Sequence, residues 1–381
     1  MYHIRMLQPL DYAGAVSLSD EVFRNDTQMS MEQGFPYLFS PIYSHSYGAF
    51  EEERLVAHMG LLPSKLRLNS VRLPVFSLGS VCTSPVARGN GVGTDLLHQV
   101  QRHADETGSV LMFISGGRSL YTRNRCYPFG QVAVYTVSPN DETAEANMAL
   151  SERERAHVRE LTALDCFAWH ELAEQRQTAF DFSMWDLYGL EHAGAYASCV
   201  LMKPKVYVLE RGGKLAAYAY ALRPSAKQAD GVPRILEYGG SGPDVALLMQ
   251  LLLNKKKYAH LQIYVPWQDK SLHDALSAYP SQVQANDGTV FIPNAERLFR
   301  HLQSWWQERG ALAAHMQALP LGDGKVQLGY PDAEPVQLEE RDVVKLLFSP
   351  DADGLLPASW PSLDQLNITV PLPYTIGLHY I

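Results

Sequence analysis

The chain has 381 residues, 46% of them hydrophobic, and its 41 acidic and 32 basic residues leave a formal net charge of -9. This length predicts two or three domains, and the negative charge argues against a nucleic-acid-binding surface. No apolar run approaches the roughly 18 residues of a membrane span, and the N-terminus lacks the apolar region of a signal peptide, so we expect a cytoplasmic protein.

The first third of the chain alternates between helix and strand patterns. In chain order it predicts a helix from Asp11 to about Phe23, a hairpin over residues 47–62, a strand over 71–82, a helix over 95–103, a strand over 110–114, a short helix over 119–124 and a strand over 132–137. The helix over 95–103 keeps Leu96, Leu97 and Val100 on one face. With the strands on either side it predicts a parallel βαβ unit.

The most specific signal is the glycine-rich segment Arg88–Gly93, which lies between that first strand and the helix. Arginine supplies a fixed positive charge, and the glycines remove β-carbons that would keep backbone N–H groups from closing around an anion. The helix that follows adds its own N–H groups and the positive end of its dipole. The segment therefore predicts a cradle for a pyrophosphate.

Two common phosphate loops differ from this one. A P-loop has a lysine after its glycines, whereas Thr94 follows Gly93 here. A dinucleotide loop has Gly-x-Gly-x-x-Gly and an acidic residue about twenty positions later, whereas the strand that ends near Ser115 offers none. The remaining pattern, Arg-x-x-Gly-x-Gly after Val81 and Pro85, resembles the acetyl-CoA loop of the GNAT acetyltransferases. The resemblance implies that acetyl-CoA is bound by Val81, Cys82, Thr83, Arg88, Gly89, Asn90, Gly91, Val92, Gly93 and Thr94.

The same resemblance implies catalytic groups. GNAT proteins carry Tyr-x-x-x-Gly-Phe/Tyr on a short helix, and Tyr121 matches the tyrosine that usually acts as general acid. This sequence departs from that pattern, because Arg125 stands where glycine is usual and Cys126 where an aromatic is usual. The alternative for Tyr121 is a ring that only packs. The backbone N–H of Val81 would polarise the thioester carbonyl.

The middle of the chain repeats the strand pattern of the first third but lacks the residues that suggest a pyrophosphate site. Residues 47–64 and 206–225 each give an apolar strand, an acidic turn, a second strand and Pro-Ser. The loop expected next, Gly239–Pro243, has no arginine, and its proline removes one N–H group. We therefore expect a second GNAT-like domain without cofactor, the alternative being an independent ligand loop there.

From about Ala295 the sequence predicts a small α+β domain. In order and length the whole chain resembles the enhanced-intracellular-survival (Eis) acetyltransferases. This resemblance implies an α+β (mixed α/β) protein with a GNAT domain over 1–147, a degenerate GNAT-like domain over 148–292, a sterol-carrier-protein-like domain over 293–381, and a possible homo-oligomer. It also implies that the terminal carboxylate of Ile381 reaches the active site, the alternative being that Tyr380 and Ile381 only close a sheet.

These features predict acetyl transfer to a primary amine of a small cationic molecule or a peptide lysine. The acceptor candidates Glu32, Phe35, Tyr37 and Phe39 either line the acceptor pocket or pack between domains. A non-catalytic acyl-CoA sensor and a carrier of apolar ligands stay open as alternatives. The four cysteines show no metal-site or disulfide spacing, so no metal is expected. His3, His58, His98 and His103 have no triad-like spacing and indicate structural or surface residues.

Overall fold

The computed structural model describes residues 2–139 and 156–381. Its contacts define two units: unit 1 comprises residues 1–130, 287–372 and 381, and unit 2 comprises residues 131–286 and 373–380. The predicted boundary at Asn147 lies outside the described residues. The described strands are β1 (His3–Met6), β2 (Tyr47–Glu51), β3 (Arg54–Leu68), β4 (Val71–Thr83), β5 (Leu111–Ile114), β6 (Gln131–Val137), β7 (Ala156–Glu160), β8 (Thr178–Phe180), β9 (Lys203–Arg211), β10 (Lys214–Arg223), β11 (Arg234–Gly240), β12 (Leu261–Pro266), β13 (Ser281–Ala285), β14 (Thr289–Phe291), β15 (Gln317–Gly322), β16 (Lys325–Gly329) and β17 (Val336–Glu339).

The described helices vary from one turn to four. They are Tyr12–Phe23, Met31–Gly34, Val92–Glu106, Ser119–Thr122, Cys166–Glu174, Met184–Ala193, Ala195–Cys199, Gly242–Lys256, Lys270–Ala275, Ala295–Glu308, Glu340–Phe348 and Leu363–Leu366. In the described ranges no helix combines the length and the apolar character that crossing a membrane would require.

Unit 1 contains a mixed sheet in the order β1-β2-β3-β4-β5-β14. The long strands β3 and β4 pair as a hairpin around Asn69, whose φ of 49° an asparagine tolerates. Helix Val92–Glu106 then returns the chain to β5, which runs parallel to β4. Leu96, Leu97 and Val100 face the sheet and are fully buried, which confirms the predicted helix face and the βαβ unit.

One strand differs from the sequence-based expectation. The alternation over residues 132–137 placed a final strand in the first domain. In the structure, β6 (Gln131–Val137) instead pairs with β12 and β13 inside unit 2. The edge of the unit 1 sheet beside β5 is filled by β14, which comes from much later in the chain. Alternation identifies a strand but carries no information about its partner, and that is why the assignment was wrong.

Unit 2 contains a seven-stranded sheet in the order β13-β6-β12-β11-β10-β9-β7. β9 and β10 form a hairpin around Gly212 and Gly213, whose φ values of 56° and 79° suit a tight turn. β11 pairs antiparallel with β10, and helix Gly242–Lys256 leads to β12, which runs parallel to β11. The strand order from β9 to β12 thus matches the order from β2 to β5 in unit 1.

The later part of unit 1 adds helix Ala295–Glu308 and the meander β15-β16-β17. Trp305 and Trp306 are both fully buried, although they are adjacent on the helix. The indole N–H of Trp306 donates to the carbonyl of Ile368 at 3.1 Å. Both rings therefore belong to the core.

Candidate active site

Strand β4 carries a bulge immediately before the glycine-rich loop. His58 of β3 pairs with Cys82, but Gly60 pairs with Gly79, so two residues of β4 lie opposite one of β3. The extra residues are Ser80 and Val81, and Ser80 has a φ of 48°. A bulge of this kind interrupts the ladder and redirects backbone groups, which makes it a common feature beside active sites.

The loop after β4 presents backbone donors. Gly89 and Gly91 have φ values of 82° and 79°, a region that glycine adopts without strain. Within the described part of the chain, the N–H groups of residues 89–93 have no acceptor, whereas those of Thr94 and Asp95 bond to the carbonyl of Gly91 at 2.9 and 3.1 Å. A β-carbon on Gly89 or Gly91 would meet nothing within 4 Å, so the surface above the loop is open.

The charge at this loop suits an anion. Arg88 is exposed, and its Nε donates to the carbonyl of Thr83 at 3.2 Å. Helix Val92–Glu106 has 15 residues and begins at the loop, with its positive end there. Cys82 is different, because its side chain is buried beside Ser19 and burial raises the pKa of its thiol to about 11. Arg88 and residues 89–93 thus fit the pyrophosphate of coenzyme A, whereas the side chain of Cys82 is buried.

The corresponding loop of unit 2 has its donors already used. The N–H of Gly242 donates to Ser271 Oγ at 3.2 Å, Pro243 has none, and that of Asp244 donates to Ser241 Oγ at 3.3 Å. The Asp244 carboxylate also lies in the first turn, where it pairs with Arg211 at 2.6 Å. A cavity of about 570 Å³ lies beside this loop. In the described part of the chain, the N-terminus of helix Gly242–Lys256 therefore has no free N–H group in its first turn to offer an anion.

Tyr121 lies on the short helix Ser119–Thr122, in the same apolar cluster against which Val81 packs. The side chain is 6% exposed, and burial raises the pKa of the phenol to about 12. The positive charge of Arg118 acts in the opposite direction. Within the described residues the phenol makes no hydrogen bond. Tyr121 therefore holds its proton at neutral pH and has it free to donate.

Arg125 adopts the backbone conformation of the glycine that it replaces. Its φ is 61°, which costs an L-residue about 1–2 kcal/mol. The guanidinium pairs with both carboxylate oxygens of Glu340, with Nε donating at 2.7 Å, and lies over the ring of Phe291. Side-chain contacts thus hold a turn that glycine would form unaided, and the departure from the motif leaves the turn intact.

The last residue of the chain lies against β4. Ile381 is 9% exposed, and a β-carbon added to Gly79 would lie 2.6 Å from its backbone oxygen. Gly79 immediately precedes the Ser80–Val81 bulge. The structure therefore brings the backbone carbonyl group of Ile381 close to the bulge, a proximity that no local sequence signal at Gly79 indicated.

The aromatic acceptor candidates differ in exposure. Phe35 and Phe39 are 5% and 3% exposed, and Phe39 stacks on the ring of His58. Tyr37 is half-buried beside Tyr43, and Glu32 is exposed on a short helix capped by Ser30. Phe35 and Phe39 are thus core residues of unit 1, and Glu32 and Tyr37 are the candidates that remain accessible.

His58 has a contact that sequence spacing did not reveal. Its ring is fully buried, and Nδ1 lies 3.2 Å from the carbonyl oxygen of Ser80, inside the bulge. In the described chain, Nε2 has no hydrogen-bond partner. Burial lowers the pKa of the imidazole to about 4. A neutral histidine therefore holds one carbonyl of the bulge.

A second cavity, of about 650 Å³, lies between helix Ala295–Glu308 and the β15-β16 strands. Glutamine, glutamate and arginine side chains line it together with Phe299, Met316 and Leu319. This mixed lining does not favour an apolar ligand. Among residues 2–139 and 156–381, no group of three or more His, Cys, Asp or Glu side chains could hold a metal ion.

Comparison with known proteins identifies part of the chain. Residues 3–130 match the family model of the acetyltransferase (GNAT) domain. No curated protein matches the sequence. The GNAT match covers β1 to β5, the bulge, the loop and Tyr121, and the chain is accordingly an acyltransferase enzyme.

Solved structures share the fold at low identity. A probable N-acyltransferase from Enterococcus faecalis aligns with a TM-score of 0.64 at 12% identity, over 89% of this chain and 85% of that one. A GCN5-related N-acetyltransferase from Anabaena variabilis gives 0.61 at 12%, over 96% and 92%. Eis1 from Mycobacterium abscessus gives 0.56 at 14%, over 79% and 76%. Together with the mixed sheets, these likenesses confirm the predicted α+β fold class.

Proposed function

We propose that the protein transfers an acetyl group from acetyl-CoA to a primary amine of a small cationic molecule or a peptide lysine. The observation that carries the proposal is the run of backbone N–H groups at residues 89–93, which lack acceptors among the described residues and lie next to Arg88 and a helix N-terminus. These groups would hold the pyrophosphate of acetyl-CoA. When bound, acetyl-CoA supplies an activated thioester.

Three groups of unit 1 would then act at the reacting atoms. The Val81 N–H would donate to the oxygen on which negative charge develops. Tyr121 would donate its proton to the departing sulfur, since burial keeps the phenol protonated. An alkylamine is only about one part in 10³ neutral at pH 7, so the site must hold the ammonium ion and help remove its proton. The carboxylate of Ile381 would perform that task.

Accessible residues near the first helices would receive the acceptor. Glu32 would attract a cation, and Tyr37 would contribute a ring face. Phe35 and Phe39 are buried and would pack beneath this surface.

Unit 2 would have the GNAT-like fold but would not bind coenzyme A. Its strands β9 to β12 follow the order of β2 to β5, which supports a tandem GNAT-like arrangement. The donors at Gly242 and Asp244 are taken, which supports loss of the pyrophosphate site. The sterol-carrier-protein-like assignment of residues 293–381 and a homo-oligomeric assembly stay predictions.

Release of free thiol from acetyl-CoA with polyamines, aminoglycosides and lysine peptides tests the proposal. We expect Tyr121→Phe to lower kcat by about 10²-fold with acetyl-CoA affinity nearly unchanged, since a positioned general acid contributes at least that much. Deletion of Tyr380 and Ile381 should impair transfer without unfolding unit 1. Tight acetyl-CoA binding without transfer to any amine would contradict the proposal and favour a sensor.

A further inference from the structure

We propose that His58 is a positioning residue that fixes the peptide group between Ser80 and Val81, and so aims the Val81 N–H at the reacting carbonyl. This inference rests on the proposed function, in which Val81 donates to that oxygen. The contact that carries it is between His58 Nδ1 and the carbonyl oxygen of Ser80, at 3.2 Å.

The Ser80 carbonyl and the Val81 N–H belong to one planar peptide group. Because the peptide bond does not rotate, a hydrogen bond that fixes the oxygen also fixes the direction of the N–H on the other side. The same bond polarises the peptide, which strengthens the N–H as a donor. His58 thus acts on Val81 through the backbone, and its side chain need not touch substrate.

The protonation state of His58 follows from its partners. A carbonyl oxygen only accepts, so Nδ1 carries the proton and Nε2 carries the lone pair. The buried ring is held in place by stacking on Phe39, with centroids 5.5 Å apart. Its lowered pKa keeps it neutral across the usual assay range, so the donor on Nδ1 persists.

The bulge needs such a support. Ser80 is not glycine, yet its φ is 48°, and Ser80 and Val81 together oppose a single residue of β3. Strained backbone of this kind persists only where the surroundings over-determine it. Ser80 is held twice, since its hydroxyl donates to Ser19 Oγ at 3.0 Å while its carbonyl accepts from His58. The side-chain bond fixes Cβ, and the carbonyl bond fixes the peptide.

Three variants separate positioning from packing. In His58→Asn the side-chain nitrogen lies two bonds beyond Cβ, as Nδ1 does, so a donor remains. In His58→Gln the nitrogen lies one bond further and misses that position. His58→Leu has no donor. A packing role depends on volume and polarity, and therefore gives no reason for asparagine to exceed glutamine.

The measurements are kcat for transfer to an amine and the calorimetric affinities for acetyl-CoA and for CoA, which lacks the carbonyl. We expect His58→Leu and His58→Gln to lower kcat by about 10- to 10²-fold, since loss of one such donor costs about 10²- to 10³-fold. In both variants the ratio of acetyl-CoA affinity to CoA affinity should fall at least threefold. In His58→Asn, kcat and this ratio should stay within about threefold of the wild-type values.

Equal behaviour of asparagine and glutamine in kcat and in the affinity ratio would overturn the inference, and this comparison stands even if the leucine variant does not fold. Failure of the proposed function is seen separately. In that case the wild type transfers to no amine, and the ratio of acetyl-CoA to CoA affinity in the asparagine and glutamine variants still decides whether His58 positions Val81.

Discussion

Replacement of Gly79 by alanine tests the proposed role of the Ile381 carboxylate most directly. An added β-carbon would lie 2.6 Å from the backbone oxygen of Ile381 and still closer to its backbone carbonyl carbon. Ordinary contacts between such atoms begin at about 3.5 Å. Because the terminal residue is less constrained than the middle of a sheet, we expect the carboxyl group to move by about 1 Å.

A displacement of this size near the reacting atoms costs about 10²-fold in rate. We therefore expect Gly79→Ala to lower kcat for amine acetylation by about 100-fold. Acetyl-CoA affinity should change by less than about threefold, because the donors at residues 89–93 lie in the loop beyond the bulge, ten or more positions after Gly79. A split between kcat and affinity is the signature of a misplaced catalytic group.

The assay is thiol release with saturating acetyl-CoA and a reactive amine. Gly117→Ala is a matched control, since its added β-carbon would meet nothing within 4 Å. Deletion of Tyr380 and Ile381 adds a double-mutant cycle: Gly79→Ala should have no further effect on the residual rate of the shortened protein. Wild-type turnover in Gly79→Ala, or an equal additional loss in the shortened protein, would refute the reasoning.

Three further predictions concern stability and binding. Arg125→Gly should be more stable than Arg125→Ala by about 1 kcal/mol in urea unfolding, since both lose the pair with Glu340 and only glycine relieves the positive φ; the reverse order would contradict the assigned backbone. Arg88→Gln should weaken acetyl-CoA binding about tenfold by calorimetry, whereas Arg102→Gln, an exposed change on the helix that follows the loop, should not. Because burial lowers the pKa of His58 from 6.5 to about 4, its contribution to stability is present above pH 6.5 and is lost as the pH falls towards 4. Between pH 7 and 5 the wild type should therefore lose about 2 kcal/mol more unfolding free energy than His58→Asn, and equal losses would contradict a neutral buried ring.

The sequence predicts the βαβ unit around the loop because its signals are local. Glycines, arginine and the apolar face of helix Val92–Glu106 all lie within a few turns of one another. The hairpin of β2 and β3 is predicted for the same reason, although β3 extends to Leu68 rather than 62. Such patterns reflect burial and backbone freedom, which each segment carries in its own residues.

Contacts between distant segments could not be predicted in the same way. β14 completes the unit 1 sheet beside β5, and β6 joins unit 2, because strand partners are chosen by packing rather than by pattern. The pair between Arg125 and Glu340 explains how a non-glycine residue keeps a glycine-like turn, and it joins residues more than 200 positions apart. The approach of Ile381 to Gly79 and the hydrogen bond between His58 and Ser80 also join distant segments, so local sequence patterns did not indicate them.

The two helix N-termini that follow β4 and β11 show why a repeated strand order does not imply a repeated site. An anion binds a helix N-terminus through N–H groups that have no other acceptor. After β4 those groups have no acceptor among the residues that the structure describes, and glycines keep side chains away from the loop. After β11 the groups are taken by Ser241 and Ser271, and a β-carbon on Gly242 would collide with the backbone of Ser271. Glycine in the second loop thus allows close packing rather than the approach of a ligand. The number of glycines therefore overstates the similarity between the two loops. The free N–H group is the feature that distinguishes the first loop from the second.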